Sequence, residues 1–308
     1  EKAKAAGIEK VMTWLAIIGT VMLLITFFTT KERIVPKPEQ KSSLKEDLGD
    51  LFKNKPWVIM LVLTILVFIT LAMKGGSYVY YFENYVDKAR LTEFITPILN
   101  GFSNIGINFF GEDPVSAGFG LFNAGGIIFM IVGIGFSKRL ADRYGKRDVF
   151  GVALVISTLF IFLFYFFSST SVELMFGSQI LHGFFYGITI PLLWAMIADV
   201  ADYSEWKNHR RATAIIFSAM IFGLKLGLSI GGALVAGILA HYGYEAQLPV
   251  QAAETVQGIK LSVSVYAALP FLLGVACMLV YEINKRKESE IERELQQRRA
   301  VSAAVQGD

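Results

Sequence analysis

Seven long apolar runs recur along the chain, and they constrain its fold more than any other feature. A window of about 19 residues places them at residues 11–29, 56–82, 119–136, 149–167, 172–200, 212–241 and 261–281. Each run is long enough for a helix to cross the hydrocarbon core of a bilayer, which takes about 17–25 residues. With 54% hydrophobic residues arranged in this way, the chain is typical of a multi-pass α-helical membrane protein, and a soluble domain is excluded.

The charged residues between the runs indicate an orientation. Lysine and arginine are concentrated in the segments that follow the first, third, fifth and seventh runs. Cytoplasmic loops carry the excess of positive charge, so we predict that these segments and the C-terminus are cytoplasmic and that the N-terminus is outside. The opening residues contain no signal peptide. An outside N-terminus is then natural for a piece of a longer protein whose earlier spans are missing.

Three segments outside the runs have predictions of their own. Residues 31–55 are charged and predict a cytoplasmic linker, in which the stretch 43–57 forms a mildly amphipathic surface helix; a plain solvated loop is the alternative. Residues 83–116 are too polar to span a membrane, and they have room for a short helix at the outer side. The tail, residues 285–308, predicts a solvated helix that frays and has no binding motif.

One lysine stands near the middle of the sixth run. Lys225 has long apolar flanks, which places it near the bilayer centre, where a lysine costs about 2.5–3.5 kcal/mol and is rarely left without a partner or a task. The spacing of Ser218, Lys225 and Ser229 puts them on one helix face. Glycines in the same run let neighbouring backbones approach. We therefore predict a polar seam that faces a cavity inside a helix bundle.

Other polar and aromatic residues in the runs each have two interpretations. Lys74 has either a functional role or a structural one, in which it snorkels outward or pairs with Glu83. The aromatic residues after it, Tyr81 among them, form an interfacial belt or a wall on which a sugar ring stacks. For Asn123, a hydrogen bond between helices is favoured over substrate contact. His182 is favoured as a hydrogen-bonded interior residue over a proton carrier.

Several function classes are disfavoured by what the sequence lacks. The single cysteine, Cys277, allows neither an internal disulfide nor a metal site built on thiols. No HExxH, GxSxG or paired-carboxylate motif stands on a span. We therefore predict no catalytic residues, no metal and no organic cofactor, and we expect no nucleic-acid partner.

The basic string after the third run resembles a transporter motif. Residues 137–147, SKRLADRYGKR, are similar to the major facilitator superfamily motif G-x-L-A-D-R-x-G-R-R, which lies in a cytoplasmic loop between paired helices. Lys138 stands where the first glycine belongs, so this is the degenerate form. The resemblance implies that Asp142, Arg143 and Arg147 hold helix ends together in one state of a gate.

A second pattern is more specific. Residues 198–214, ADVADYSEWKNHRRATA, and residues 222–232, FGLKLGLSIGG, resemble the glycoside–pentoside–hexuronide cation symporter family, which includes the melibiose and xyloside permeases. Residues 74–86, KGGSYVYYFENYV, are similar to the seventh helix of that family. The resemblance covers nearly the whole chain, as helices six to twelve of such a permease.

The resemblance implies an all-α integral membrane fold with about seven transmembrane helices. These would be the sixth helix and the C-terminal six-helix bundle of a twelve-helix major facilitator transporter. Residues 1–30 would be the last helix of the N-terminal half, and residues 31–55 the central cytoplasmic linker. Residues 56–284 would form the bundle, and residues 285–308 the cytoplasmic tail.

The resemblance also assigns roles to residues. Lys225 matches a family lysine at the sugar and cation site, and a sugar-stacking tryptophan of the family lies about one turn from Trp194. Asp199, Asp202 and Arg211 match charges of the inner gate, which pair across the two halves when the inside is closed. With the candidates above, the predicted substrate-binding or coupling set is Lys225, Trp194, Lys74, Tyr81, Asn123 and Ser218.

The expected function is sugar:cation symport by alternating access in a bacterial inner membrane. Besides a sugar or glycoside, the expected partners are the lipid bilayer and the N-terminal half of the same protein. The coupling cation is H⁺ or Na⁺. In the family its carboxylates lie on helices one, two and four, which this chain does not include.

Two other interpretations fit seven spans. Another major facilitator carrier, for a lipid or a nucleoside, would share the fold. A seven-helix receptor or photoreceptor would share the span count and the outside N-terminus. A retinal-binding lysine belongs on the last span, however, and residues 261–281 contain no lysine, so the receptor is much less favoured.

Overall fold

Short polar side chains mark points at which the chain passes from loop to helix. The side chains of Asn54, Asp87 and Asp113 each accept a hydrogen bond from the backbone N–H three residues later, at 2.9–3.3 Å. Such caps satisfy donors that a helix leaves free in its first turn. A proline follows soon after two of these caps, where its missing N–H costs nothing. Local sequence therefore determines these three helix starts.

Helices account for all regular structure in the residues that the structure describes. This computed structural model covers residues 2–30, 49, 51–106, 113–208 and 213–306. The helices are α1 (Lys2–Thr29), α2 (Lys55–Asn84), α3 (Lys88–Asn104), α4 (Pro114–Tyr144), α5 (Lys146–Phe162), α6 (Val172–Asn208), α7 (Thr213–His241), α8 (Ala253–Leu261), α9 (Ala267–Val280) and α10 (Lys285–Gln306).

The chain divides into two units, Glu1–Ser43 and Leu44–Asp308. Among the described residues, the first unit contains helix α1, and the second unit contains helices α2 to α10. Of the surface helix predicted for residues 43–57, residues 43–48 and 50 fall outside the described residues. The remainder of this section concerns the second unit.

Within the described residues, seven helical segments are long and apolar enough to cross a membrane. They match the seven apolar runs one to one, with α8 and α9 joined into a single span by the π-helical segment Ser262–Tyr266. The predicted all-α membrane fold is therefore confirmed. Helices α4 and α6 run past their predicted ends at residues 136 and 200, because helical hydrogen bonding continues after charged residues begin.

The helix expected between residues 83 and 116 is α3, and it packs on α4 and α6. Leu91 and Ile95 are its buried residues. Arg90 ties it to α6 through Glu173, at 2.9 Å, and also binds Glu93. The hydrogen bond to Glu93 and the charges of both glutamates raise the pKa of Arg90 above its usual value.

Glycines bring α7 against α2. Gly223, Gly227 and Gly231 are buried there, and we call them the glycine face of α7. A Cβ on Gly227 would lie 2.5 Å from the carbonyl oxygen of Ile65 on α2. Small residues allow this approach between membrane helices, so the glycine face determines which side of α7 is covered.

Helices α4 and α6 meet in the same way. A Cβ on Gly183 of α6 would lie 3.1 Å from the Cα of Gly126 on α4, and Gly133 faces Gly187 further along the two helices. The backbones therefore touch at two levels. Helix α6 lies between α4 and α5 and contacts both along much of its length.

The two ends of the second unit differ in chemistry. One end, which we call the basic end, contains the end of α4, the start of α5, the end of α6 and α10. The opposite end, the aromatic end, contains the end of α2, the first turns of α4 and α6, and the 3-10 turn Leu163–Tyr165 that follows α5. Five rings pack there with centroids 5.0–6.4 Å apart, mostly edge to face as aromatic pairs prefer: Tyr78, Phe82, Phe122, Phe164 and Phe176.

Candidate functional site

The polar face of α7 lies away from its glycine face. Ser218, Lys225 and Ser229 are all exposed, and the Ser229 hydroxyl donates to the Lys225 carbonyl oxygen at 2.9 Å. No ion pair or hydrogen bond to the Lys225 ammonium occurs among the described residues. Because α2 covers the glycine face, the polar seam of Ser218, Lys225 and Ser229 is open to contacts from outside the second unit.

Trp194 and Asn123 are partly accessible. The Trp194 side chain on α6 is 36% exposed. Asn123 on α4 is half-buried, and its amide nitrogen donates to the carbonyl oxygen of Phe119 at 2.9 Å, one turn earlier in the same helix. The Asn123 amide nitrogen therefore bonds within its own helix rather than between helices.

Lys74 lies inside the second unit. Its side chain is 5% exposed, its Nζ lies 3.5 Å from Oε1 of Gln179, and it stands 5.4 Å from the ring centroid of Tyr78. His182, one turn after Gln179, pairs its Nδ1 with the Ser157 hydroxyl at 2.9 Å. This position agrees with the interpretation of His182 as a hydrogen-bonded interior residue. Lys74 neither snorkels nor pairs with Glu83.

Tyr81 is also interior. Its side chain is fully buried, and its ring stacks on Tyr85 at 4.9 Å and lies edge-on to Phe164 at 5.9 Å. The predicted substrate set thus divides in two. Lys225 and Ser218 are accessible from outside the second unit, and Trp194 and Asn123 are accessible in part. Lys74 and Tyr81 belong to its core, where Lys74 lies beside Gln179, a residue that was not among the predicted site residues.

A cluster of charges occupies the basic end. Nζ of Lys146, at the start of α5, lies 2.6 and 2.8 Å from the two carboxylate oxygens of Asp199 on α6. It also lies 2.9 Å from Oε1 of Glu288 on α10. Tyr281 is buried near them, and burial together with the charges of Asp199 and Glu288 raises its pKa. Three helices that are distant in sequence therefore meet at one ammonium group.

The other predicted gate residues have mixed surroundings. Arg147 donates from Nε to the carbonyl oxygen of Met278 at 3.2 Å, which links α5 to α9. The backbone carbonyls of Asp142 and Arg143 accept hydrogen bonds from Lys285 Nζ at 2.6 and 3.2 Å. Asp202 is half-buried one turn after Asp199. The predicted gate residue Arg211 lies outside the described residues.

The tail was predicted to be a solvated helix, and for the first part of α10 this was wrong. Ile291 and Leu295 are 2% and 3% exposed, and α10 packs on α6. Trp206, at the end of α6, donates from Nε1 to Glu294 at 2.7 Å. Lys146 and Glu288 were not among the predicted site residues, because no local pattern connects positions so far apart in the chain.

In the described part of the chain, seven helices long and apolar enough to cross a membrane, an exposed lysine on one of them and a charged end define the class: a multi-pass membrane protein with the features of a carrier. Comparison with known proteins makes the class specific. The model of the family described as MFS/sugar transport protein matches residues 1–112 and 98–285. The chain belongs to this family, whose members are membrane transport proteins and not enzymes.

Similar proteins agree with this assignment. YagG of Escherichia coli K12, whose name proposes a glycoside/cation symporter, is 30% identical over 301 residues, 96% of this chain and 59% of that protein. The inner membrane symporter YicJ of the same strain is 29% identical, over 88% of this chain and 53% of YicJ. The isoprimeverose transporter of Lactiplantibacillus pentosus is 26% identical, over 99% of this chain and 58% of that protein.

The predicted membership of the glycoside–pentoside–hexuronide cation symporters is thereby confirmed. The chain spans less than three fifths of the length of these relatives.

Proposed function

We propose that the chain is part of a secondary active transporter that couples movement of a sugar or glycoside to H⁺ or Na⁺ by alternating access. The protein would lie in the bacterial inner membrane with its C-terminus in the cytoplasm. Relatives whose names specify a glycoside/cation symporter or an isoprimeverose transporter support this substrate class. The concentration of positive charge at the basic end supports the orientation.

The observation that carries the proposal is the exposed seam of Lys225, Ser218 and Ser229. A lysine at this depth in a membrane is costly unless it meets a partner or a water-filled cavity. The seam faces away from α2, so the partner is expected outside the second unit. Hydroxyl-rich sugars can accept charge-assisted hydrogen bonds from an ammonium group. Lys225 would then bind substrate, and Trp194 would supply an apolar ring face.

The basic end is the proposed inner gate. Asp199, Asp202 and Arg211 would pair with charges of the other half of the transporter when the inside is closed. An exposed ion pair contributes only about 0–1 kcal/mol, but several of them can bias two states of nearly equal free energy. Asp142, Arg143 and Arg147 would hold neighbouring helix ends in one of those states.

The coupling site is expected on helices that this chain does not include. Those helices would supply the carboxylates that bind H⁺ or Na⁺, as well as further sugar-binding groups. Lys74 and Tyr81 could act on substrate only through a rearrangement of the core in which both are now buried. A uronide substrate would give Lys225 a carboxylate partner.

The test is transport by a full-length protein that carries this sequence. Vesicles that hold a proton or a sodium gradient are supplied from outside with labelled glycosides, pentosides and glucuronides, and uptake is measured. Lys225→Ala is expected to abolish active accumulation, whereas Lys88→Ala, an exposed lysine on α3, should transport normally. Normal accumulation in Lys225→Ala would reduce Lys225 to a packing role. Transport of nucleosides or lipids in place of any glycoside would refute the sugar assignment.

A further inference from the structure

Helix α10 joins helix ends that are otherwise separate at the basic end. Lys285 donates to the carbonyls of Asp142 and Arg143, which belong to the last turn of α4. Such carbonyls have no partner within their own helix. Glu288, one turn later, binds Lys146 at the start of α5. The first turns of α10 therefore cap α4 and hold α5.

The rest of α10 is anchored to α6 without any contribution from Glu288. Trp206 donates to Glu294 at 2.7 Å, and Lys287 Nζ stands 4.3 Å from the Trp206 ring centroid. Ile291 and Leu295, on the same part of α10, are buried. Because these contacts fix the helix on both sides of it, the Glu288 carboxylate has a defined position.

The ammonium of Lys146 has three donors, and the cluster offers an acceptor for each. Two go to the oxygens of Asp199 and one to Glu288. The three side chains are 15–24% exposed, so leaving one of these charges without a partner would be costly. The cluster contains two carboxylates for one ammonium group. It can therefore accept a further cation next to Asp199 while Lys146 stays paired.

We propose that α10 takes part in the opening and closing of the inner gate and that Glu288 is a positioning residue for Asp199. Glu288 holds Lys146 in place and remains its partner whenever Asp199 turns to a basic side chain of the other half of the transporter. Asp199 can then change partners without leaving a partly buried lysine unpaired, which lowers the barrier of the gating step. This inference rests on the proposed function, because it assumes that Asp199 pairs across the two halves.

The test compares Glu288→Gln with Glu292→Gln in the full-length protein. Glu292 is exposed on the same helix and serves as the matched control. Glu288→Gln is expected to slow substrate counterflow about fivefold, the size expected for one partly buried ion pair, with unchanged substrate affinity. Glu288→Asp keeps the charge and should restore much of the rate. A merely structural role would not separate rate from affinity or respond to the conservative change.

Hydrogen exchange of the purified protein gives a readout that does not need substrate. Glu288→Gln should speed amide exchange in residues 145–150 and 199–208, and Glu292→Gln should leave both segments unchanged. Equal exchange and equal counterflow for the two variants would overturn the inference. A loss of affinity at constant rate would overturn it as well. If the wild type moves no glycoside, the proposed function fails by that result alone, and the exchange data still decide whether Glu288 positions Lys146 and Asp199.

Discussion

Replacing Gly227 by alanine should push α7 off α2. The added Cβ would lie 2.5 Å from the carbonyl oxygen of Ile65 and 2.9 Å from the Cβ of Phe68. Ordinary contact begins at 3.4 Å, so the backbones would have to separate by about 0.9 Å. A backbone carbonyl cannot rotate away as the end of a flexible side chain can. The strain must therefore be relieved by movement of the helix that carries Lys225.

The magnitude follows from a comparison with Gly232, which is exposed one residue beyond the glycine face and has nothing within 4 Å of its Cβ position. Alanine is favoured over glycine inside a helix by about 1 kcal/mol, and this gain is common to both substitutions. Only Gly227→Ala also overpacks a contact, at about 1–3 kcal/mol. The difference in free energy of unfolding between the two variants should therefore be about 1–3 kcal/mol, with Gly227→Ala less stable.

The assay is reversible unfolding of the purified chain in detergent, followed by circular dichroism for both variants under identical conditions. In the full-length transporter, the same pair should differ in transport, because Lys225 moves with α7. Equal unfolding free energies for Gly227→Ala and Gly232→Ala would refute the argument. They would show that α2 and α7 separate at no cost and that the glycine face does not determine how the seam is presented.

Two further predictions concern the interior of the second unit. Gly183→Ala should lower the free energy of unfolding by about 1–3 kcal/mol relative to Gly177→Ala, because a Cβ at Gly183 meets the backbone of α4 and one at Gly177 meets nothing within 4 Å; equal values would contradict the close approach of α4 and α6. Lys74→Met should leave the free energy of unfolding unchanged or raise it by about 1 kcal/mol, because a long contact with Gln179 and the ring of Tyr78 compensate little of the desolvation of the buried amine. Denaturation beside a Lys88→Met control checks this, and a clear loss of stability would show that the amine is needed in the core.

The family and the helices were accessible from the sequence because each rests on local information. An apolar run of about 20 residues is typical of a helix that spans hydrocarbon, since a helix satisfies its backbone groups within the segment. Side chains such as Asn54 and Asp113 cap helices by reaching a backbone N–H three residues away. The motifs around Asp142 and Asp199 are also contiguous, so they could indicate a family without any knowledge of packing.

The site required the tertiary structure. Lys74 and Lys225 both interrupt apolar runs beside glycines, so the sequence alone does not show which of the two is buried. Membrane helices are apolar on every side, so no amphipathic pattern shows which face packs. Contacts with α4 and α6 enclose Lys74, whereas the glycine face of α7 leaves Lys225 exposed. The ion pair between Glu288 and Lys146 depends on the packing of α10 against α6. Contacts between distant segments are set by how the helices pack and not by the local sequence pattern.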